Sequence, residues 1–182
     1  MADFTEKTIS SEQIYKGKII DVQLDQVELP DGQTSSRELV YHPGAVAVLA
    51  VTPEGRLLMV RQYRKPLERS LVEIPAGKLE NGEAPESCAR RELEEETGYR
   101  SDSLQYVTSF YTSPGFSDEI VHLYFSNQLE KGEQKTDDDE FVELMEVTLE
   151  EAKELMRQKE IYDAKTAYAV QYLQLKNNLQ DD

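Results

Sequence analysis

Tryptophan is absent from this 182-residue chain, cysteine occurs once and histidine twice. A lone Cys88 closes no internal disulfide, and its place inside a helical pattern suits a small packed residue rather than a nucleophile. His42 and His122 are too few for an imidazole-based metal centre and suit structural or solvent-facing places. No apolar run approaches the ~18 residues of a membrane-spanning helix, so no membrane partner is expected. The opening segment, MADFTEKTISSEQ, lacks the basic and apolar regions of a secretory signal, and cytoplasm is the expected compartment. Positive charge is the larger deficit: 20 Lys and Arg stand against 36 Asp and Glu, a formal net charge of -16. Duplex nucleic acid, whose phosphates need a basic face, is excluded as a partner. A small anionic substrate is not, because metal ions and a few arginines can mediate locally.

What is present is a patterned globular chain, 38% hydrophobic and long enough for one full domain with a small appendage. Residues 1–43 read as an N-terminal β appendage, with strands at Lys18 to Leu29 and Ser36 to His42 joined through Pro30-Asp31-Gly32. Residues 44–176 read as the main domain and residues 177–182 as a frayed tail. Ala45 to Val51 is a continuous apolar run, as in a strand buried on both faces. Arg56 to Tyr63 alternates and is expected to be its hairpin partner. Leu104 to Tyr111, Ile120 to Leu129 and Phe141 to Val147 are further strands. Residues 130–140, EKGEQKTDDDE, read as a long polar, mobile loop. Thr148 with Glu151 forms a capping box before one helix, and Asp163 caps the last.

The most informative stretch is GKLENGEAPESCARRELEEETGY, from Gly77 to Tyr99. Glu83-Ala84-Pro85 starts a helix, where proline's missing N–H costs nothing, and Gly98 ends it with a left-handed cap. Glu92 and Glu96, four apart, share one face, with Glu95 on its flank and Arg91 placed to pair with Glu95. Ala89 and Leu93 form the neighbouring stripe for burial against a sheet. Glutamates so close repel unless cations lie between them, and oxygen-only ligands favour Mg2+ or Mn2+ over zinc. Taken alone, Glu94-Glu95-Glu96 reads as a solvated face. The fixed positions around it reverse that reading: Gly77, Glu83, Arg91, Glu92, Glu95, Glu96 and Gly98 follow G-x5-E-x7-R-E-U-x-E-E-x-G-U, where U is bulky and apolar. Chance gives such a match on the order of 10^-7 times per start position.

That spacing is the pattern of the Nudix hydrolases, which the chain resembles, with Leu93 and Tyr99 in the two apolar places. The resemblance implies an α/β fold, the Nudix-type α/β/α sandwich with a mixed β-sheet. It also implies that the Ala76 carbonyl joins Glu92 and Glu96 as a metal ligand, with Gly77 permitting the close loop. Three further stretches resemble the ADP-ribose pyrophosphatase branch: Arg61 to Pro66, Ser113 to Glu119, and Asp139 to Glu143. Carried across, Arg37 and Arg64 are expected to contact diphosphate and ribose, with Glu73, Pro114 and Gly115 nearby. Arginine suits this work, since its planar fork grips phosphate oxygens with two donors. Tyr15 is the appendage's candidate for stacking adenine.

The implied activity is metal-dependent hydrolysis of ADP-ribose to AMP and ribose 5-phosphate. Glu140 is the first choice of base, on a loop able to close late, and is also expected at the metal; Asp138, Asp139 or a glutamate of the motif, Glu95 among them, stand as alternatives. Arg91 and Glu95 complete the catalytic set. The family implies a homodimer with exchanged N-terminal strands. Other readings are hydrolysis of NADH, GDP-mannose or a dinucleoside polyphosphate, or a catalytically silent sensor of ADP-ribose.

Overall fold

The computed structural model describes residues 3–134 and 141–179. The chain divides into two compact units, Met1–Gly44 with Phe110–Ile120, and Ala45–Ser109 with Val121–Asp182.

The first unit holds three antiparallel strands in the order β1 (Lys7–Lys16), β2 (Asp21–Glu28) and β3 (Thr34–Tyr41). The two expected strands are present, the first shorter at both ends and the second beginning two residues earlier, and they turn through residues 29–33 with Gly32 at φ 82°. β1 is the addition. Its sequence, KTISSEQIYK, is polar and lacks strict alternation, so periodicity does not reveal it. Register with β2 slips between Thr8 and Ser10 and between Gln13 and Tyr15, so Ile9 and Ile14 sit at bulges. Every residue of β1 is exposed. The segment Phe110–Ile120 docks on β3 within this unit: Val40 N donates to the Phe116 carbonyl at 2.8 Å, and His42 N to Asp118 Oδ1 at 2.8 Å. Ile14, Val22, Leu24, Val40 and Phe116 line a shallow apolar groove of about 370 Å3.

The second unit is built on β4 (Ala45–Ala50), β5 (Leu57–Arg64), β6 (Arg69–Glu73), β7 (Ala76–Lys78), α1 (Pro85–Thr97), β8 (Tyr99–Arg100), β9 (Gln105–Tyr111), β10 (Ile120–Ser126), β11 (Glu130–Lys131), β12 (Val142–Val147), α2 (Leu149–Arg157) and α3 (Ala164–Asn178). One sheet runs β7-β4-β10-β9, with β10 parallel to β4 and β7 antiparallel to it, and is therefore mixed. A second runs β12-β5-β6. The hairpin expected between β4 and β5 does not form. Apart from a bridge between Val51 and Leu57, the two strands part into different sheets. Both are buried on both faces, Val46 to Ala50 and Leu57 to Val60 being at most 1% exposed, and each lies inside its own sheet rather than at an edge.

Side-chain alternation along β10 fixes the layers. Tyr124 packs in a core with Val46, Val48, Ala50, Leu58 and, from α1, Cys88, Ala89 and Leu93. Its neighbour Phe125 points to the opposite face, where it meets Tyr172 of α3 with ring centroids 6.5 Å apart. Helices thus cover both faces of the sheet, the expected α/β/α arrangement. Full burial of Leu93 contributes about 2 kcal/mol. The capping box of Thr148 and Glu151 and the Asp163 cap are both formed. Among the described residues, no helix is long and apolar enough to cross a membrane.

Candidate active site

Local sequence sets both ends of α1. Pro85 occupies its first turn, and Gly98 closes it at φ 70° with its N–H on the Glu94 carbonyl at 2.8 Å. A side chain at Gly98 would also stand 2.8 Å from the backbone nitrogen of Gln134. Gln134 in turn donates from Nε2 to the Glu96 carbonyl at 2.7 Å, which pins the approach to residues 135–140 on the end of α1.

Arg91 gathers the carboxylates of the helix. Its Nη1 reaches Glu95 at 2.9 Å, the expected pair, and Glu92 at 2.7 Å. Its Nε and Nη2 form a fork on Glu83, both at 3.1 Å, and Nη2 also lies 3.2 Å from Cys88 Sγ. The guanidinium holds the Glu83 carboxyl at about 2, well below the usual range. The arginine itself is raised, first by its bond to Glu83. Cys88 lies in the opposite regime: burial foremost, and Glu83 next, push its thiol up to about 12, which leaves it a packed neutral side chain.

Two buried carboxylates flank one dipeptide at the start of β7. Glu96, 2% exposed, accepts from Ala76 N at 3.0 Å. Glu92, 8% exposed, lies against Gly77 so closely that any β-carbon there would overlap its carboxylate. No group of three His, Cys, Asp or Glu side chains arranged to hold a metal occurs among the described residues. The two carboxylates offer oxygen, the ligand type that fits a hard divalent cation.

Beside this dipeptide lies a second set of charges. Arg64 forms a fork on Glu73, Nε to Oε1 at 2.7 Å and Nη2 to Oε2 at 2.8 Å. Lys165 of α3 pairs with Glu73 Oε2 and with Asp163 Oδ1, the latter at 2.9 Å. Burial pushes the Glu73 carboxyl up, but Arg64 and Lys165 outweigh it and hold it at about 2. The same helix start braces the loop before β7, since Ile74 N donates to Thr166 Oγ1 at 3.2 Å. Sequence reasoning named Arg64 and Glu73 but missed Lys165, Asp163 as a charge partner, and Thr166. They lie about ninety residues downstream, and no local spacing signals them.

The remaining expected residues are distributed as follows. Ala76, Glu92, Glu95, Glu96, Arg91, Arg64 and Glu73 all belong to the second unit. Arg37, Pro114 and Gly115 belong to the first. There Arg37 forms a fork on Glu6, with Nε–Oε2 at 2.8 Å and Nη2–Oε1 at 2.5 Å, and meets Ser35 Oγ at 2.9 Å. Gly115 opens to empty space. Asp138, Asp139 and Glu140 lie outside the described residues. His42 and His122 are structural: His42 Nδ1 accepts from Gly44 N at 3.0 Å, and His122 Nδ1 meets Ser109 Oγ at 2.7 Å.

This helix-and-loop geometry has close relatives. Residues 40–168 match the NUDIX domain, and residues 6–40 match the nucleoside diphosphate sugar hydrolase N-terminal domain. The chain belongs to the Nudix family. It is 63% identical over 182 residues to an ADP-ribose pyrophosphatase of Bacillus subtilis (strain 168), spanning 99% of this chain and 98% of that one. It is 59% identical over 178 residues to a methanol dehydrogenase activator of Bacillus methanolicus, spanning 97% and 96%. A crystal structure of an ADP compounds hydrolase superposes with a TM-score of 0.85 over 99% of this chain and 98% of that chain; at 18% identity, it attests the fold. Nudix hydrolases generally need a divalent metal.

Proposed function

We propose that this protein hydrolyses the pyrophosphate bond of ADP-ribose, with Mg2+ as its metal and Mn2+ as a substitute, to give AMP and ribose 5-phosphate. The observation that carries this reading is the 63% identity, over nearly the whole of both chains, to a protein named for that activity. The site is consistent with it, since Arg91, Glu92, Glu95 and Glu96 are all in place around the Ala76–Gly77 backbone. A silent ADP-ribose sensor would have no need of that complete set.

Glu92, Glu96 and the Ala76 carbonyl are the residues that would hold the metal. When bound, it would neutralise charge on the diphosphate and lower the pKa of an attacking water. Arg91 holds Glu92 and Glu95 together through its Nη1. Arg64, held on Glu73 through Nε and Nη2, is assigned to a phosphate, with Pro114, Gly115 and Arg37 assigned to the rest of the substrate. Water attacks one phosphorus, the bridging P–O bond breaks, and a base takes the water's proton. Glu140 is the assigned base, with Asp138, Asp139 or Glu95 as the alternatives. Gln134 donates to the Glu96 carbonyl at the end of α1.

The protein is further assigned to the cytoplasm and to a homodimer with exchanged N-terminal strands. The fully exposed β1, with Ile9, Ile14 and Tyr15 each 56% exposed, supports the dimer, because so long an exposed strand is otherwise an aggregation hazard. The deciding assay for the activity is phosphatase-coupled phosphate release with Mg2+ over ADP-ribose, NADH, GDP-mannose and a dinucleoside polyphosphate. ADP-ribose is expected to be turned over with the highest kcat/KM. Binding without turnover, or a clear preference for another nucleotide, would overturn the reading.

A further inference from the structure

Lys165 belongs to no motif of the sequence, yet its side chain is only 16% exposed and its ammonium sits between two carboxylates, Glu73 and Asp163. Asp163 is itself anchored: its Oδ1 caps α3 by accepting from Thr166 N at 3.0 Å. The lysine therefore ties Glu73 to the rigid start of a helix. Glu73 is 2% exposed, and both its oxygens are committed, Oε1 to Arg64 and Oε2 to Arg64 and Lys165 together. Three charged donors thus fill one site on Oε1 and two on Oε2. Its chemistry is that of a holder.

What it holds is Arg64, whose side chain is 38% exposed and would otherwise sample many rotamers. Gripped by Nε and Nη2, the guanidinium lies in a fixed plane with Nη1 uncommitted to Glu73. An arriving diphosphate competes with Glu73 for Arg64. A carboxylate anchored from behind by Lys165 stays in place under that pull, and the arginine keeps its orientation.

We propose that Lys165 is a positioning residue that acts through Glu73 to present Arg64 to the substrate diphosphate, an inference that rests on reading Arg64 as a diphosphate contact. The test uses the full-length protein with Mg2+ and ADP-ribose, comparing Lys165→Met, Lys165→Arg, Arg64→Met and the double variant Lys165→Met/Arg64→Met. Lys165→Met is expected to raise KM about tenfold with kcat within about threefold, and Lys165→Arg to restore KM to within about twofold. The double variant is expected to be no worse than Arg64→Met alone, because both act through one group. An unchanged KM in Lys165→Met, beside a raised KM in Arg64→Met, overturns the role of Lys165 and leaves Arg64 intact. An unchanged KM in Arg64→Met overturns the diphosphate contact and this inference with it. A double variant clearly worse than Arg64→Met shows that Lys165 touches substrate itself and also overturns the proposal. If circular dichroism shows Lys165→Met misfolded, Lys165→Gln takes its place: one atom shorter and uncharged, it loosens the hold on Glu73, so a raised KM is again expected and an unchanged KM overturns the proposal.

Discussion

Gly77 and the carboxylate of Glu92 occupy one space: the glycine's bare α-carbon lies where any β-carbon would overlap the glutamate's carboxyl carbon and both oxygens. The glycine at the head of the sequence motif lies in β7 and is thus required by a side chain fifteen residues further on, through tertiary contact. Gly77→Ala forces Glu92 off its place beside Ala76 and Arg91. Turnover at saturating Mg2+ is expected to fall at least about a hundredfold, the usual cost of displacing a reacting group by an ångström. A kcat near that of the parent protein would show that Glu92 works equally well elsewhere.

Glu96→Gln separates charge from shape at the other carboxylate. The amide oxygen can still accept from Ala76 N, so the loop before α1 keeps its anchor. The lost negative charge relieves repulsion with Glu92 on the same helix face. The melting temperature without metal is expected to stay level or rise while turnover is lost, as calorimetry and the phosphate-release assay would record. Retained kcat would rule out Glu96 as a metal ligand.

Glu140→Gln tests the assigned base. Loss of a general base lowers kcat by about 10^2 to 10^4, with a much smaller effect on ADP-ribose affinity. Weakened binding with an unchanged kcat would make Glu140 a substrate contact and move the search for the base to Asp138, Asp139 and Glu95.

Glu73 governs a pH dependence of stability. Its carboxyl titrates near 4.5 when free and at about 2 in the folded protein, despite burial that acts in the other direction. A depressed folded pKa stabilises fully above about pH 4.5 and loses its effect as pH falls towards 2. Glu73→Gln should therefore melt below the parent protein at neutral pH, with the gap narrowing between pH 4.5 and 2. A gap independent of pH over that window would mean that the pair with Arg64 and Lys165 contributes by packing alone.

For the first unit, light scattering at micromolar concentration is expected to show a dimer. Ile14→Glu, at a bulge of β1 and on the rim of the apolar groove, is expected to shift it to monomer and to weaken ADP-ribose binding. A monomeric parent protein would overturn the proposed homodimer with exchanged N-terminal strands.

The chain by itself determined α1 and its chemistry. Proline at one end, glycine at the other, the i, i+4 glutamates and the buried Ala89–Leu93 stripe are all local, and local geometry follows from spacing along a helix. The caps at Thr148 and Asp163 were legible for the same reason, as were the buried strand β4 and the places of β2, β3, β5, β9, β10 and β12. Three things required tertiary structure. β1 has no periodicity of its own and becomes a strand because β2 pairs with it. β4 and β5 follow one another across a tight turn, yet β10 and β7 pair with one, and β12 and the following strand β6 with the other, which draws them into separate sheets. Lys165 reaches Glu73 across ninety-two residues of sequence because α3 begins beside the end of β6. Pairings between strands and between distant charges depend on where the backbone returns in space, and spacing along the chain carries no record of that.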